Sequence, residues 1–338
     1  ALPPPPASPP PVMGYEYDPN GNLKKTTLAP QAPGFGHATE RSYDDLQRLR
    51  TITDARNGVV QLEHTGRGDL TKVTDPRQLV THYPRNGLGD ATSVDSPDTG
   101  IATRAYDEAG NLKTLTDSRG ARSSYTYDAL NRLTRVIHTM PGRSLQTFRW
   151  TYDQTGPGYS HGVGRLTSTA FPVGTSTIAY DEHGRILKET QRVDTGVTGQ
   201  RITTSVGYTY DAAGRLTSVL YPSGPLVRVD YAGGLPSSVS LARNATAAPS
   251  TLIDQIRHEP FGAIAGWRWQ MTGGAATHDR HIDASGRLVR YPLGELTRDL
   301  SYDEADRIRS YLHWYTATAA PTTSWDQAYS YDAVGRLH

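Results

Sequence analysis

The densest set of potential metal ligands in the sequence is the segment His278-Asp279-Arg280-His281-Ile282-Asp283. Imidazole and carboxylate groups are ligands that zinc and related ions use. On a β-strand, however, His281 and Asp283 would share one face while His278 would point to the other, and this spacing suits a helix better. We therefore predict no metal and no cofactor, and a metal-dependent enzyme at His278 and His281 is the least favoured function.

Two tryptophans form a second candidate site. Trp267 and Trp269 flank Arg268, so both indole rings would lie on one face of a strand. Exposed rings in this arrangement form a platform on which a sugar ring stacks, whereas packed rings bury a large area inside the protein. We favour packing, and carbohydrate or receptor binding through Trp267 and Trp269 is the alternative function.

A glycine-rich segment from Thr155 to Gly164 has some of the character of a phosphate-binding loop. No Gly-Lys-Ser or Gly-Lys-Thr sequence follows it and no helix is predicted after it, so we interpret it as a flexible connection. No Ser-His-Asp set and no pair of carboxylates stands out from the rest of the sequence. The prediction is that this chain is not an enzyme.

The elements that carry these residues belong to a repeat, Y-D-x-x-G-R/N-L. Such self-similarity decides the architecture before any other feature does. The Asp opens a turn and accepts a hydrogen bond from the backbone two residues on. The Gly, four residues after the Tyr, takes a left-handed conformation in a hairpin that a type I turn and a bulge close. The turn residues of five clear copies are Tyr106, Asp107 and Gly110; Tyr127, Asp128 and Asn131; Tyr180, Asp181 and Gly184; Tyr210, Asp211 and Gly214; and Tyr331, Asp332 and Gly335.

The left-handed position gives an internal test of this interpretation, because only Gly, and to a lesser degree Asn and Asp, tolerates positive φ. We count about fourteen units, and several successive units are 21 residues apart. The left-handed position holds Gly in most of them, Asn131 in one and Asp306 in another. Gln47, and the unit Y-A-G-G-L-P at Tyr231, are the exceptions.

A second turn divides each unit, as in Asp117-Ser118-Arg119-Gly120, so a unit is two antiparallel strands and two turns. Helical patterns are nearly absent, and the predicted fold class is all-β. The predicted repeat array runs from residue 15 to residue 338. Residues 1–14 form a proline-rich linker, for which an SH3-like ligand is the alternative.

Composition agrees with a thin sheet that has much surface. The chain of 338 residues is 36% hydrophobic, with a mean hydropathy of −0.57. A net charge of +1 argues against a nucleic-acid partner. Cysteine is absent, which excludes disulfides. We find no apolar run long enough to span a membrane, and no signal peptide is visible.

The repeated Y-D-x-x-G-R-L sequence resembles the YD repeat of bacterial RHS proteins, which also occurs in the shells of insecticidal toxin complexes and in teneurins. The resemblance covers the chain from about Tyr15 to its end. It implies an antiparallel β-strip wound as a spiral into a hollow or open shell.

Such a shell commonly encloses a C-terminal toxin or cargo domain of the same polypeptide, or serves as an extracellular scaffold. The resemblance therefore implies a non-catalytic structural segment of a secreted or cell-surface bacterial protein. Its partners would be further repeats, the cargo domain and surface glycans. RHS shells also contain a D-P-x-G-L-like self-cleavage motif, but Asp18-Pro19-Asn20-Gly21-Asn22-Leu23 is in register with the turns and we interpret it as an ordinary repeat.

Overall fold

The structure is a computed structural model that describes residues 2–29, 37–260, 262–332 and 334–337. Among these residues it has 28 strands and no helix, and therefore no helix that could cross a membrane. Strands β1 to β23 belong to one open antiparallel sheet, and β24 to β28 form a second. The predicted all-β, antiparallel fold is confirmed.

The strands follow one another at short intervals along the chain. The first sheet contains β1 (Met13–Tyr17), β2 (Leu23–Leu28), β3 (His37–Tyr43), β4 (Leu49–Thr53), β5 (Val59–His64), β6 (Leu70–Thr74), β7 (Val80–His82), β8 (Ser93–Ser96), β9 (Gly100–Tyr106), β10 (Leu112–Thr116), β11 (Arg122–Tyr127), β12 (Leu133–Thr139), β13 (Gln146–Tyr152), β14 (Leu166–Phe171), β15 (Gly174–Tyr180), β16 (Ile186–Asp194), β17 (Arg201–Tyr210), β18 (Leu216–Leu220), β19 (Leu226–Ala232), β20 (Leu235–Ala242), β21 (Ser250–His258), β22 (Ile264–Met271) and β23 (Gly274–Asp279). The second sheet contains β24 (His281–Ile282), β25 (Leu288–Leu293), β26 (Leu296–Tyr302), β27 (Ile308–Tyr315) and β28 (Pro321–Ala328).

Neighbouring strands pair as hairpins, and each motif tyrosine lies at a β-bulge. In the hairpin of β11 and β12, Tyr127 pairs with Leu133, and the register shifts between Thr126 and Tyr127. The shift places one extra residue in the return strand, which is the bulge that the sequence predicts. The same shift occurs beside the motif tyrosine of most other units.

The left-handed position has positive φ in every unit where the sequence places it. Gly110, Gly184 and Gly214 have φ values of 82°, 83° and 83°. Gln47, an exception by residue type, adopts the same conformation with φ of 64°. At Tyr231 the hairpin closes through two glycines that both have positive φ, as a two-residue turn requires.

The chain divides into two compact units: residues 1–81 with 255–338, and residues 82–254. In the second unit few side chains are fully buried, among them Val136 and Thr167. Such sparse burial is what a thin sheet with short side chains provides. In the first unit the buried set is more polar and includes Asp299 and His313.

Within the first unit the two ends of the chain are in contact. The backbone N–H of Tyr302 donates to Ser8 Oγ at 2.9 Å, and Arg287 donates to the carbonyl of Pro9 at 3.0 Å. Arg56 forms an ion pair with Asp332 at 3.1 Å. The proline-rich segment therefore lies against the second sheet at Ser8 and Pro9, although its role as a linker remains a prediction.

Candidate functional site

In most repeats an aspartate holds the turn through three hydrogen bonds, as Asp181 does. Asp181 Oδ1 accepts from the backbone N–H groups of His183 and Arg185, each at 2.9 Å, and Oδ2 accepts from Arg185 Nε at 2.6 Å. Gly184 N–H closes the turn on the carbonyl of Asp181 at 3.0 Å. The carboxylate is thus occupied by its own turn, which is a structural use of a potentially catalytic group.

These bonds stabilise the charged form of the carboxylates. The hydrogen bond from the Arg48 side chain lowers the pKa of Asp44 to about 2. Hydrogen bonds from the backbone N–H groups of the returning strand lower the pKa of Asp107 and that of Asp211. These carboxylates therefore remain ionised, and keep their hydrogen bonds as acceptors, at neutral pH.

The tyrosine of each repeat joins its repeat to the preceding one. Tyr180, which is 8% exposed, donates its hydroxyl to the carbonyl of Leu166 at 2.6 Å. The acceptor is the seventh residue of the preceding repeat, counted from the tyrosine position of that repeat (which Arg85 and Ile282 occupy in two cases) with any insertion left out. We call this contact the inter-repeat tyrosine bond. Nine tyrosines make it at 2.6 to 3.0 Å: Tyr43, Tyr106, Tyr127, Tyr152, Tyr180, Tyr210, Tyr231, Tyr302 and Tyr331.

The motif arginine makes a second contact at the same junctions. Its guanidinium group binds the turn aspartate of its own repeat and lies over the tyrosine ring of the next, as Arg132 does over Tyr152 at 4.4 Å. Cation–π contacts of this kind stabilise by about 0.5–1 kcal/mol at exposed sites. The other junctions with this cation–π contact are Arg165 with Tyr180, Arg185 with Tyr210, Arg215 with Tyr231, Arg287 with Tyr302 and Arg307 with Tyr331. Arg165 differs from the others in that it donates to the carbonyls of His161 and Val163 and not to an aspartate.

The inter-repeat bonds did not follow from the sequence pattern, which gives the residues of each hairpin but not the offset between hairpins. The regular spacing of 21 residues was the signal that could have indicated them. With this spacing, each tyrosine lies one hairpin after the tyrosine position of the preceding repeat, and therefore at a constant offset from the carbonyl that accepts its hydrogen bond.

The two tryptophans lie in a packed cluster. The rings of Trp267 and Trp269 meet edge to face at 5.8 Å, and Trp267 stacks on His278 at 4.0 Å. Arg280 also lies over the Trp267 ring at 4.9 Å. Burial lowers the pKa of His278. These contacts occupy much of the surface that a sugar would need, and the sugar platform remains a prediction.

The residues of the candidate metal segment have separate surroundings. His278 stacks on Trp267, His281 pairs with Arg290 across β24 and β25, and Asp283 accepts three hydrogen bonds in its turn. Within the described ranges, no group of three or more metal-binding side chains comes together.

A buried polar network in the second sheet was missed by the sequence analysis. Arg290 binds both carboxylate oxygens of Asp299, at 2.5 and 2.6 Å, and Trp314 Nε1 donates to the same carboxylate at 3.0 Å. Asp299 is 1% exposed and Arg290 is 6% exposed. A buried, bidentate pair of this kind tolerates the loss of neither partner.

The model of the RHS repeat family matches residues 43–80, 106–139 and 192–226. No curated protein sequence matches the chain. The chain is similar in fold to the crystal structure of TcdB2-TccC3, with a TM-score of 0.74 and 14% identity over 96% of this chain and 19% of that one. A structure of the Photorhabdus luminescens Tc holotoxin pore, which carries a TccC3 mutation, matches with a TM-score of 0.63 and 14% identity over 96% of this chain and 17% of that one.

The chain therefore spans about a fifth of the length of these solved structures. Their low identity makes them evidence for the fold alone, and the family assignment comes from the repeats. Those repeats, matched at three segments and built from the same turn throughout, show that the chain is an RHS/YD-repeat protein.

Proposed function

We propose that this chain is a non-catalytic structural segment of an RHS-type shell, in a longer polypeptide that encloses a C-terminal toxin or cargo domain. The observation that carries the proposal is the inter-repeat tyrosine bond, which recurs at nine junctions between Tyr43 and Tyr331. Backbone pairing joins the strands both within a hairpin and between successive hairpins, and the tyrosine and arginine contacts add side-chain links at the junctions between hairpins. The result is an extended hydrogen-bonded sheet, reinforced at these junctions, that can act as a barrier.

A barrier functions by excluding proteases and other macromolecules from what it encloses. The similar structures include TcdB2-TccC3 without a hypervariable C-terminal region. By analogy, we infer that a variable cargo follows the repeats in the parent of this chain. We further infer that the parent is secreted or displayed on a cell surface.

Protease protection of the full-length polypeptide tests this proposal. The C-terminal segment should be digested far more slowly in the full-length protein than when it is expressed alone. Replacing Tyr127, Tyr180 and Tyr210 by Phe should weaken three junctions and speed its digestion. Replacing Tyr15, Tyr17 and Tyr221 by Phe is the matched control, because these tyrosines are exposed and make no inter-repeat bond. Equal digestion of the enclosed and the isolated segment would contradict the proposal.

Sugar binding through Trp267 and Trp269 has less support, because Trp267 already stacks on His278 and lies under Arg280. A glycan array with the wild-type protein and Trp269→Ala tests it. Binding that the substitution abolishes would support this function, and absence of binding would dismiss it.

A further inference from the structure

One face of the sheet in residues 82–254 carries a row of arginines. Arg135 on β12 is directly opposite Arg149 on β13. Directly paired residues of an antiparallel sheet point to the same face. The pairing continues from Arg149 through Ala170 and Thr175 to Arg192 on β16. Three arginines therefore project from one line across the strands.

A row of hydroxyl groups runs beside the arginines, two residues further along each strand. Its members pair in sequence from β13 to β17 and are Thr151, Ser168, Thr177, Thr190 and Ser205. Hydroxyls can donate hydrogen bonds to carboxylate oxygens, as guanidinium groups do. We call these two rows together the basic face.

The charge of this face is one-sided. Among the paired strand positions of this face from β10 to β17, all of them described by the structure, Asp194 is the one acid, and Arg201 binds it at 2.7 Å. Arg122 and Lys188 add two more cations at such positions. Arg135, Arg149 and Arg192 are exposed, and their side chains form no hydrogen bond or ion pair within the described part of the chain. Like charges directly opposite each other are destabilising, and an anionic partner would relieve the repulsion between Arg135 and Arg149.

The aromatic residues lie on the other face. Tyr125 pairs with Val136, and Val136 with Phe148, and these positions alternate with those of the basic face. The strand positions of the basic face from β12 to β16 therefore carry no ring on which sugars or nucleic-acid bases stack, and the ring beside this face is that of Tyr159, from the connection between β13 and β14. Its aliphatic content is also low, with Ile137 between hydroxyl-bearing neighbours, so it does not suit an apolar partner.

An open pocket gives the face a defined centre. It has a volume of about 390 Å³ and is lined by Arg149, Arg192 and Thr175 together with Tyr159 from the connection between β13 and β14. Contrary to the interpretation of that connection as a flexible one, it is fixed at several points: Asp153 Oδ1 accepts from Gly164 N–H at 2.6 Å, and Ser160 bonds to Tyr180.

We propose that the basic face binds an acidic, extended polypeptide segment. Arg149 and Arg192 are three strands apart, a distance of about 14 Å at 4.8 Å per strand. An extended chain rises about 3.4 Å per residue, so acidic side chains four residues apart on one side of it match that distance. The hydroxyl row supplies further donors along the same line.

The test uses a fluorescein-labelled polyglutamate peptide and the intact chain, with affinity measured by anisotropy at low and at physiological salt. The variant R135Q/R149Q/R192Q should weaken binding about tenfold or more, as loss of three charge contacts predicts. The matched control R50Q/R243Q/R309Q removes the same charge at exposed positions outside the face. It should change the affinity by less than about twofold. Circular dichroism of both variants verifies that they are folded.

Loss of binding in the first variant alone supports the proposal. Equal loss in both variants would overturn it, as would absence of wild-type binding at low salt. If single-stranded DNA bound more tightly than polyglutamate and R135Q/R149Q/R192Q abolished that binding, the proposal would be overturned and the partner of the basic face would be a nucleic acid. The binding assay needs no enclosed domain. Failure of the protease-protection experiment would therefore leave peptide binding to the basic face unaffected, and failure of peptide binding would leave protease protection unaffected.

Discussion

Removal of a single inter-repeat tyrosine bond should have a cost that depends on the position of the tyrosine in the array. In Tyr180→Phe the ring remains in place beside Arg165, but the carbonyl of Leu166 loses the hydroxyl that donates to it at 2.6 Å. Because Tyr180 is 8% exposed, water has little access to replace that donor. An unsatisfied buried acceptor costs about 1–3 kcal/mol. We expect a loss of about 1–2 kcal/mol for this variant, at the lower end of that range.

Tyr17→Phe is the matched control, because Tyr17 occupies the same position of the motif in the first repeat. It is 62% exposed, and its hydroxyl has no hydrogen-bond partner among the residues that the structure describes. Its substitution should change stability by less than about 0.5 kcal/mol. Native-state hydrogen exchange of the amides in β14 and β15 reports the local opening free energy at the altered junction. Equal exchange rates in the two variants would refute the reasoning.

The same bond predicts an alkaline transition. Burial raises the pKa of Tyr180. A group whose pKa is raised in the folded state contributes stability that is complete below its unfolded pKa, near 10 for Tyr, and is lost as pH rises through the folded value. Opening of β14 and β15 should therefore accelerate above about pH 10. Tyr180→Phe should lack this part of the pH dependence, and an unchanged profile would contradict the assignment.

Three further predictions concern the turns and the buried pair. Asp299→Ala leaves the guanidinium of Arg290 buried without its partner and should cost about 3–5 kcal/mol in urea denaturation, whereas R290M/D299L should recover most of that loss. Gln47 has positive φ and also accepts a hydrogen bond from the Asn22 side chain, which both Gln47→Gly and Gln47→Ala remove. Gln47→Gly should therefore be more stable than Gln47→Ala by about 0.5–1 kcal/mol, and equal stability of the two variants would show that the turn does not strain a non-glycine residue. Because the Arg48 hydrogen bond lowers the pKa of Asp44 from 3.8 to about 2, its contribution is complete above pH 3.8 and is lost towards pH 2. An acid titration followed by circular dichroism should show a transition in that range that Asp44→Asn shifts.

The hairpins were predictable because their determinants are local. Asp107, Gly110 and the two residues between them specify a turn within four positions, and the structure gives that turn at almost every repeat. Gln47 shows that the fold imposes the left-handed conformation even where the residue does not favour it. The turn there is closed by the same local hydrogen bonds, from the N–H of Gln47 to the carbonyl of Asp44 and from the N–H groups of Leu46 and Arg48 to Asp44 Oδ1, so position in the motif was a better guide than residue type.

Contacts between strands were less predictable because they depend on register. Asp299 and Arg290 face each other across β25 and β26, and charged residues are seldom so buried. Arg135 and Arg149 were unpredictable for the same reason, because they are fourteen positions apart in the sequence and only the strand register makes them adjacent in the sheet.

The direction of the inter-repeat tyrosine bond bears on how the chain is made. Each tyrosine donates to a carbonyl that was synthesised earlier, as Tyr210 does to Ile186 and Tyr231 to Leu216. A repeat that leaves the ribosome therefore finds its acceptor already in place and can dock at once, without waiting for residues still to be translated. Folding can keep pace with translation from the amino end, so a half-made molecule exposes one growing edge at a time.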